Sequence, residues 1–243
     1  MSHKQAVLKL NKKVGETPLE CLNRFKESHP KYRDEKMTYA GRLDPLASGV
    51  LLVLVGEECK NKEKYLGLDK EYEVEVLFGF ATDTGDVLGL VQKHKGLAFV
   101  PTKARPLCFK AEDIKKGLKN FVGIKTRVYP KYSSPALVKA KIQEKEGEIK
   151  SIKYLSNKYI SNQNLLNNIQ KRIALINGGF RQSKILACWK KILAKKAGKY
   201  LIVKIKVKCS SGVYMRQLAE ELGQKFAVSS LAFGIKRTFV GKF

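Results

Sequence analysis

An α+β domain built on a largely antiparallel sheet is the fold class this sequence predicts, and three observations predict it. Residues 201–209 alternate in strand fashion, with Val203, Ile205, Val207 and Cys209 on one side and Lys204, Lys206 and Lys208 on the other. That period of two marks a strand buried on one face. Residues 71–80 alternate in the same way and end in a turn over residues 82–85. Helical patterns fall between these strands without the regular βαβ rhythm of a parallel sheet.

The remaining elements follow in chain order. Residues 7–13 form a short strand running into a basic turn. Thr17-Pro18-Leu19-Glu20 is a capping box with proline at the first helical position, and Leu22 and Phe25 share one face of the helix that His29-Pro30 ends. Residues 39–56 then read YAGRLDPLASGVLLVLVG. Pro45 biases Asp44 toward extended geometry. Ala47-Ser48-Gly49 is expected to be a small-residue turn, and the apolar run 50–55 a fully buried strand. A carboxylate on a loop against a rigid strand is a common way to present a single catalytic acid. Asp83 and Asp86, in a Thr-Asp-Thr-Gly-Asp turn, are expected to cap backbone groups. Ile114, Leu118 and Phe121 lie at helical spacing within 112–121. Helices are expected over 165–176 and 185–195, the second holding Trp189, with Gly178-Gly179 between them. Ser210-Ser211-Gly212 breaks the strand at 201–209, and an amphipathic helix over 215–226 carries Leu218, Leu222 and Phe226. There is no internal repeat.

Composition narrows the partner. Among 243 residues, 48 Lys and Arg face 22 Asp and Glu, a formal charge of +26, while 44% hydrophobic residues suffice for a core. So large a positive excess opposes compaction and calls for an anionic partner, most simply nucleic acid. A membrane surface fits less well, because no long basic amphipathic helix carries an aromatic face. No apolar run approaches the roughly 20 residues of a membrane span, and the N-terminus lacks a signal-peptide core. Cys21, Cys59, Cys108, Cys188 and Cys209 are odd in number with no CxxC pair, and only His3, His29 and His94 join them. This argues against a zinc site or a disulfide scaffold and for a reducing, cytoplasmic setting.

Three ordered segments carry a resemblance. GRLDPLASGVL, residues 41–51, resembles the catalytic motif of pseudouridine synthases, and its DPLASGVL portion is most similar to the TruB-type tRNA pseudouridine synthases. KEYEVEVLFGFATDTGDVLGLV, residues 70–91, is similar to that family's basic-plus-tyrosine strand and its turn. VKCSSGVYMRQLAEELG, residues 207–223, resembles its Cys-Ser-x-Gly-x-Tyr-x-Arg segment, and IKRTFVGKF closes the chain as the family's catalytic domain closes. YPKYSS at 129–134 is a weaker echo. Together these segments cover residues 5–135 and 200–243.

The resemblance implies a pseudouridine synthase fold: one catalytic domain over 1–243, with a basic helical insert at about 140–199 and no C-terminal accessory RNA-binding domain. The implied enzyme works as a monomer without cofactor or metal, on the T arm of tRNA, at the T-loop uridine conventionally numbered 55. The reaction breaks the bond from uracil N1 to ribose C1′, turns the base over, and joins C5 to C1′. It needs an ionised carboxylate, either to attack C1′ or to take the C2′ proton; by resemblance this is Asp44. Enclosed with a base, a carboxylate loses solvation. A guanidinium at ~4 Å returns about 4 kcal/mol at an effective dielectric near 20, and Arg216 matches the family's arginine for that role. Because the base must leave its stack, the pocket needs flat or apolar walls. Tyr72 matches the stacking tyrosine, Tyr214 a second pocket tyrosine, and Ile235 the aliphatic wall. Lys12, Arg42, Lys70, Lys236 and Arg237 are assigned to RNA.

Departures from the family pattern are equally specific. Tyr39 stands where the family carries a histidine thought to help splay the T loop. Arg42 makes a Gly-Arg-Leu-Asp sequence more typical of ribosomal-RNA pseudouridine synthases, and Lys13 replaces a proline. A pseudouridine synthase for ribosomal or another RNA is therefore the alternative, followed by a non-catalytic tRNA-binding or tRNA-folding protein.

Overall fold

The computed structural model describes residues 6–92, 110–128, 144–194 and 198–241. The echo at 129–134 and Cys108 lie outside them. Strands β1 (Val7–Lys12), β2 (Met37–Ala40), β3 (Ala47–Val55), β4 (Lys70–Phe78), β7 (Gly123–Val128), β8 (Glu144–Ser161), β9 (Lys199–Cys209) and β10 (Ser230–Val240) form one sheet. Its order is β1-β3-β10-β4-β9-β8-β7, with β2 also on β3. Every pairing is antiparallel except that of β10 with β3. Short β5 (Ala81–Thr82) and β6 (Val91–Gln92) make a separate ribbon. The fold is the mixed, mostly antiparallel α+β architecture that the alternation predicts.

Helices cover the sheet on both faces. On one face, α3 (Ala111–Gly117) and α6 (Met215–Lys225) pack with Val74, Val76, Val203, Ile205 and Val207 in the largest core cluster. The predicted alternation along β9 is why this works: its apolar side faces that cluster, while Lys204 and Lys206 on the other side pair with Glu73 and Glu71 of β4 at 2.7 and 2.9 Å. On the opposite face, α4 (Asn162–Ala174) and α5 (Gln182–Ala194) form a helical hairpin. It buries Leu165, Ile169, Ile185 and Trp189 against Phe80, Val87, Tyr200 and Leu231. The Trp189 Nε1–H donates to the Val87 carbonyl at 3.2 Å, so the one polar atom of that large ring is satisfied.

Helix α1 (Pro18–Ser28) starts at the predicted capping box: Thr17 Oγ1 accepts from the Glu20 N–H, and Glu20 Oε2 accepts from the Thr17 N–H. It packs Cys21 and Leu22 over Leu8, Leu51 and Val53. Short helix α2 (Lys62–Leu66) adds Tyr65 to a cluster with Leu52, Leu54 and Val240. Among the described residues no helix is long and apolar enough to cross a membrane.

Two expectations need correction. Among its described residues the insert is helical only over α4 and α5; residues 144–161 are β8, an interior strand bonded to β7 on one side and β9 on the other. Its interrupted pattern, with charged and polar residues at most positions, hid the strand. Ala47-Ser48-Gly49 is not a turn but the start of β3. Gly49 (φ +101) is there because a Cβ would collide with the Arg237 carbonyl where β10 crosses.

Candidate active site

Asp44 stands on the irregular loop between β2 and β3, and two buried cations hold that loop by its carbonyls. From the end of β1, Lys12 Nζ donates to the carbonyls of Ala47 (2.6 Å), Lys13 (2.9 Å) and Pro45 (3.2 Å). From β10, Arg237 donates from Nε to Val50 O at 2.7 Å, from Nη2 to Gly41 O at 3.1 Å and from Nη1 to Arg42 O at 3.4 Å. The Gly15 N–H also donates to Pro45 O at 2.9 Å, and the Ala47 N–H closes a turn onto Asp44 O at 3.0 Å. Carbonyl dipoles are the natural partners of a cation withdrawn from water. Burial lowers Lys12 to about 8, against the pull of Glu16, Cys21 and Asp44.

Arg216, in the first turn of α6, meets the Asp44 carboxylate with two prongs: Nε to Oδ2 at 2.9 Å and Nη2 to Oδ1 at 3.3 Å. Its third nitrogen donates to the Thr84 carbonyl at 2.7 Å. The arginine side chain is 9% exposed and the aspartate 39% exposed, so the cation is sealed and the carboxylate opens on the cleft. Two further carboxyls face the same guanidinium. Burial pushes Asp86 up to about 6, opposed by Arg216 and reinforced by Asp44. Burial also pushes Glu220 up to about 7, opposed by Arg216 and reinforced by Asp86 and Glu221. Burial works against the charge on Arg216, but Asp44, Asp86 and Glu220 together outweigh it and hold the guanidinium more firmly protonated. Asp86 also does the capping work expected of it, accepting from Thr84 Oγ1 at 2.7 Å and the Leu88 N–H at 2.9 Å. Glu220, one helical turn beyond Arg216, carried no signal in the sequence.

The walls gather most of the predicted residues. A narrow hollow of about 80 Å³ is lined by Asp44, Tyr72, Tyr214, Arg216 and Ile235 together with Arg42 and Met215. Tyr72 lies on β4 between Val207 of β9 and Arg237 of β10. Burial raises its phenol, with Arg237 opposing, which moves it away from acting as a base near neutrality and toward serving as a flat wall. The hollow shares Arg42, Tyr72 and Tyr214 with a wider groove of about 550 Å³ that runs past Tyr39, Lys62 and Ser211. There Arg42 is exposed and donates to the Tyr39 hydroxyl at 3.2 Å, and the guanidinium and Lys62 Nζ lie 5.9 and 5.7 Å from the Tyr39 ring centre.

The RNA assignments divide. Arg42 and Lys236 are exposed. Lys12, Lys70 and Arg237 are buried, and Lys70 and Arg237 also line the wider groove past Tyr39. Lys70 Nζ donates to the carbonyls of Leu68 (2.5 Å) and Leu66 (3.0 Å), so all three spend donors on backbone. On the far side of Asp44 the cleft widens to about 330 Å³ between Pro45, Thr84, Asp86 and Leu88 and the loop joining α4 to α5, through Gly179, Phe180 and Arg181. The sequence held no hint that the hairpin reaches the aspartate.

Known proteins resemble this chain over nearly its whole length. Residues 29–173 match the model of the TruB family pseudouridylate synthase N-terminal domain. A "tRNA pseudouridine synthase B" from Borreliella burgdorferi (strain ZS7) is 29% identical over 97% of this chain and 70% of its own length. Its counterpart from Borreliella afzelii (strain PKo) is 30% identical with the same coverage. Among solved structures, a chain in a Cbf5-Nop10-Gar1 complex superposes with a TM-score of 0.59 at 19% identity, over 97% of this chain and 48% of that one. That likeness speaks for the fold.

Proposed function

Given that this chain belongs to the TruB family of pseudouridylate synthases and is an isomerase, we propose that it acts on tRNA, converting the T-loop uridine at position 55 to pseudouridine with Asp44 as the catalytic carboxylate. One observation carries the reading: the two-pronged Asp44–Arg216 pair opens into a hollow walled by Tyr72, Tyr214 and Ile235.

The chemistry follows from that geometry. Arg216 fixes the carboxylate and faces an oxygen-bearing edge into the hollow, where it can attack C1′ or take the C2′ proton as the N1 bond breaks. Both routes need the ionised acid. The freed uracil must turn over and present C5 without diffusing away. A flat ring at Tyr72, a second at Tyr214 and the aliphatic Ile235 hold it by its faces and leave its edges unpaired, so rotation breaks few polar contacts. Arg42, Lys62 and Tyr39 offer cations and a ring along the adjoining groove, which suits the phosphates and unstacked bases of the T arm.

The Gly-Arg-Leu-Asp sequence around Arg42 favours a second reading, an RNA target outside tRNA. One assay separates them: nucleotide-resolved mapping of pseudouridine on unmodified tRNA and ribosomal RNA transcripts, with wild type beside Asp44→Asn. Product at the T-loop uridine that the variant fails to make is the expected result. Product on ribosomal RNA alone would move the target, and product from Asp44→Asn would remove the proposed catalyst.

A further inference from the structure

We propose that the tip of the helical hairpin, Phe180 and Arg181, is a substrate-gripping element that holds the RNA nucleotide next to the target uridine: Phe180 by stacking on the base, Arg181 by pairing with the phosphate. The proposal rests on the reading of the Asp44 cleft given above and adds its second wall.

Position comes first. The cleft beyond Asp44 is bounded by Pro45, Thr84 and Asp86 on the sheet side and by Gly179, Phe180 and Arg181 on the hairpin side. A nucleotide whose base enters the hollow at Tyr72 has neighbours within one backbone step, and this cleft shares Asp44 and Arg216 with that hollow.

Order comes second. A glycine-bearing tip would ordinarily be slack, yet this one is pinned. Gly178 takes φ +88, a conformation open to glycine. The Gln182 side chain accepts from the Phe180 N–H at 3.0 Å and donates to Gly178 O at 2.6 Å and Ile176 O at 3.3 Å. Asn177 reaches across to Glu20 at 3.1 Å. Arg181 itself sits at φ +62, a rare and strained choice for a long side chain. Its Nη1 meets Asp83 Oδ2 at 2.8 Å, and the arginine side chain keeps 37% of its surface exposed while the aspartate keeps 7%. The guanidinium is thus anchored at the rim. Glycine at 179 leaves the space beside the backbone open, with nothing within 4 Å of where a Cβ would sit.

Charge comes third. Over residues 162–194 the basic residues are Lys171, Arg172, Arg181, Lys184, Lys190 and Lys191, and there is no Asp or Glu. A cation-only element whose apolar stripe is already buried in the core suits a polyanion rather than a mixed-charge protein surface.

The test is binding of an unmodified tRNA transcript, measured across a salt series, with Asp44→Asn as the parent so that turnover does not interfere. Phe180→Ala is expected to weaken binding about fivefold or more, the loss of one base–aromatic stack. Arg181→Asn, whose short side chain tolerates the left-handed backbone, is expected to weaken binding and to lower the salt slope by about one. Phe180→Leu keeps the apolar contact and loses the stack, so weakened binding by a variant that melts like its parent separates stacking from folding. Parent-like affinity and salt slope in all three folded variants would overturn the proposal. Because binding is read without catalysis, a chain that binds tRNA but makes no pseudouridine would sink the proposed function and leave this measurement intact.

Discussion

The two walls of the cleft use positive charge in opposite ways. On the sheet wall, Lys12 and Arg237 are buried and their donors close on carbonyls of the Asp44 loop and the start of β3. On the hairpin, Lys171 and Lys184 stand in solvent and Arg181 is held at the cleft rim by Asp83, above an apolar stripe that anchors them through Ile173, Ile185 and Trp189. The first arrangement fixes the Asp44 loop; the second sets an electrostatic field outside it. A residue's formal charge says nothing about which of these it does. The decisive fact is whether backbone acceptors from elsewhere in the chain surround it.

Four substitutions sharpen or break that contrast, from the largest expected effect to the smallest. Asp44→Asn should lower single-turnover pseudouridine formation by on the order of a thousandfold or more, as loss of a reacting group does, with the melting temperature nearly unchanged. Arg237→Leu should cost on the order of 3 kcal/mol in urea unfolding, because carbonyls at Gly41, Arg42 and Val50 lose a buried donor. Activity should fall with it as the Asp44 loop loosens. A stable but RNA-weakened Arg237→Leu protein would place Arg237 among the RNA contacts after all. Arg42→Gln, on the exposed side of the Asp44 loop, should do the reverse. Stability should stay within about 0.5 kcal/mol, while tRNA affinity falls severalfold and the salt slope drops by about one.

The smallest effect concerns Glu220. Its folded carboxyl is raised to about 7 from 4.5, chiefly by burial. The folded state therefore binds the proton more tightly than the unfolded chain, and the stability this contributes is fully present below pH 4.5 and lost as pH rises to about 7. Glu220→Gln should consequently melt above wild type at pH 8, with the difference shrinking as pH falls toward 4.5. A gap that widens on acidification would mean that the ionised carboxylate supports Arg216 more than burial penalises it.

Legibility in the sequence followed the range of the interactions. The capping box at Thr17, the alternation of β9 and the helical spacing of α4, α5 and α6 are local patterns, and all were readable. So was Asp44 in a loop before an apolar strand. The resemblance, rather than any local pattern, singled out Arg216, Tyr72, Tyr214 and Ile235, and the fold brings them together around Asp44. What stayed hidden depends on pairs far apart in the chain. The burial of Arg237 requires Gly41 and Val50, which local pattern cannot connect to it. Gly49 resembled a turn residue because the strand that crowds it comes nearly two hundred positions later. The approach of Phe180 and Arg181 to Asp44 needs the hairpin to dock on Phe80 and Leu88 first. β8 was missed for a different reason: bonded on both sides, it nonetheless carries too few apolar residues to show a period.

The grip of Arg237 on the Asp44 loop also dictates a schedule for biosynthesis. The two ends of that contact, Arg42 and Arg237, lie 195 residues apart. At about 5–20 residues per second, on the order of ten to forty seconds separate the emergence of the aspartate from that of the arginine that sets its loop. Until β10 slides in beside β3, the nascent polypeptide has Asp44, the proposed catalyst, without the contacts that hold its loop. It can meet RNA through its charge, but it has no assembled site with which to act on it. Competence is expected to arrive late and all at once, and translation-linked assays on arrested chains would register it as an abrupt onset rather than a gradual gain.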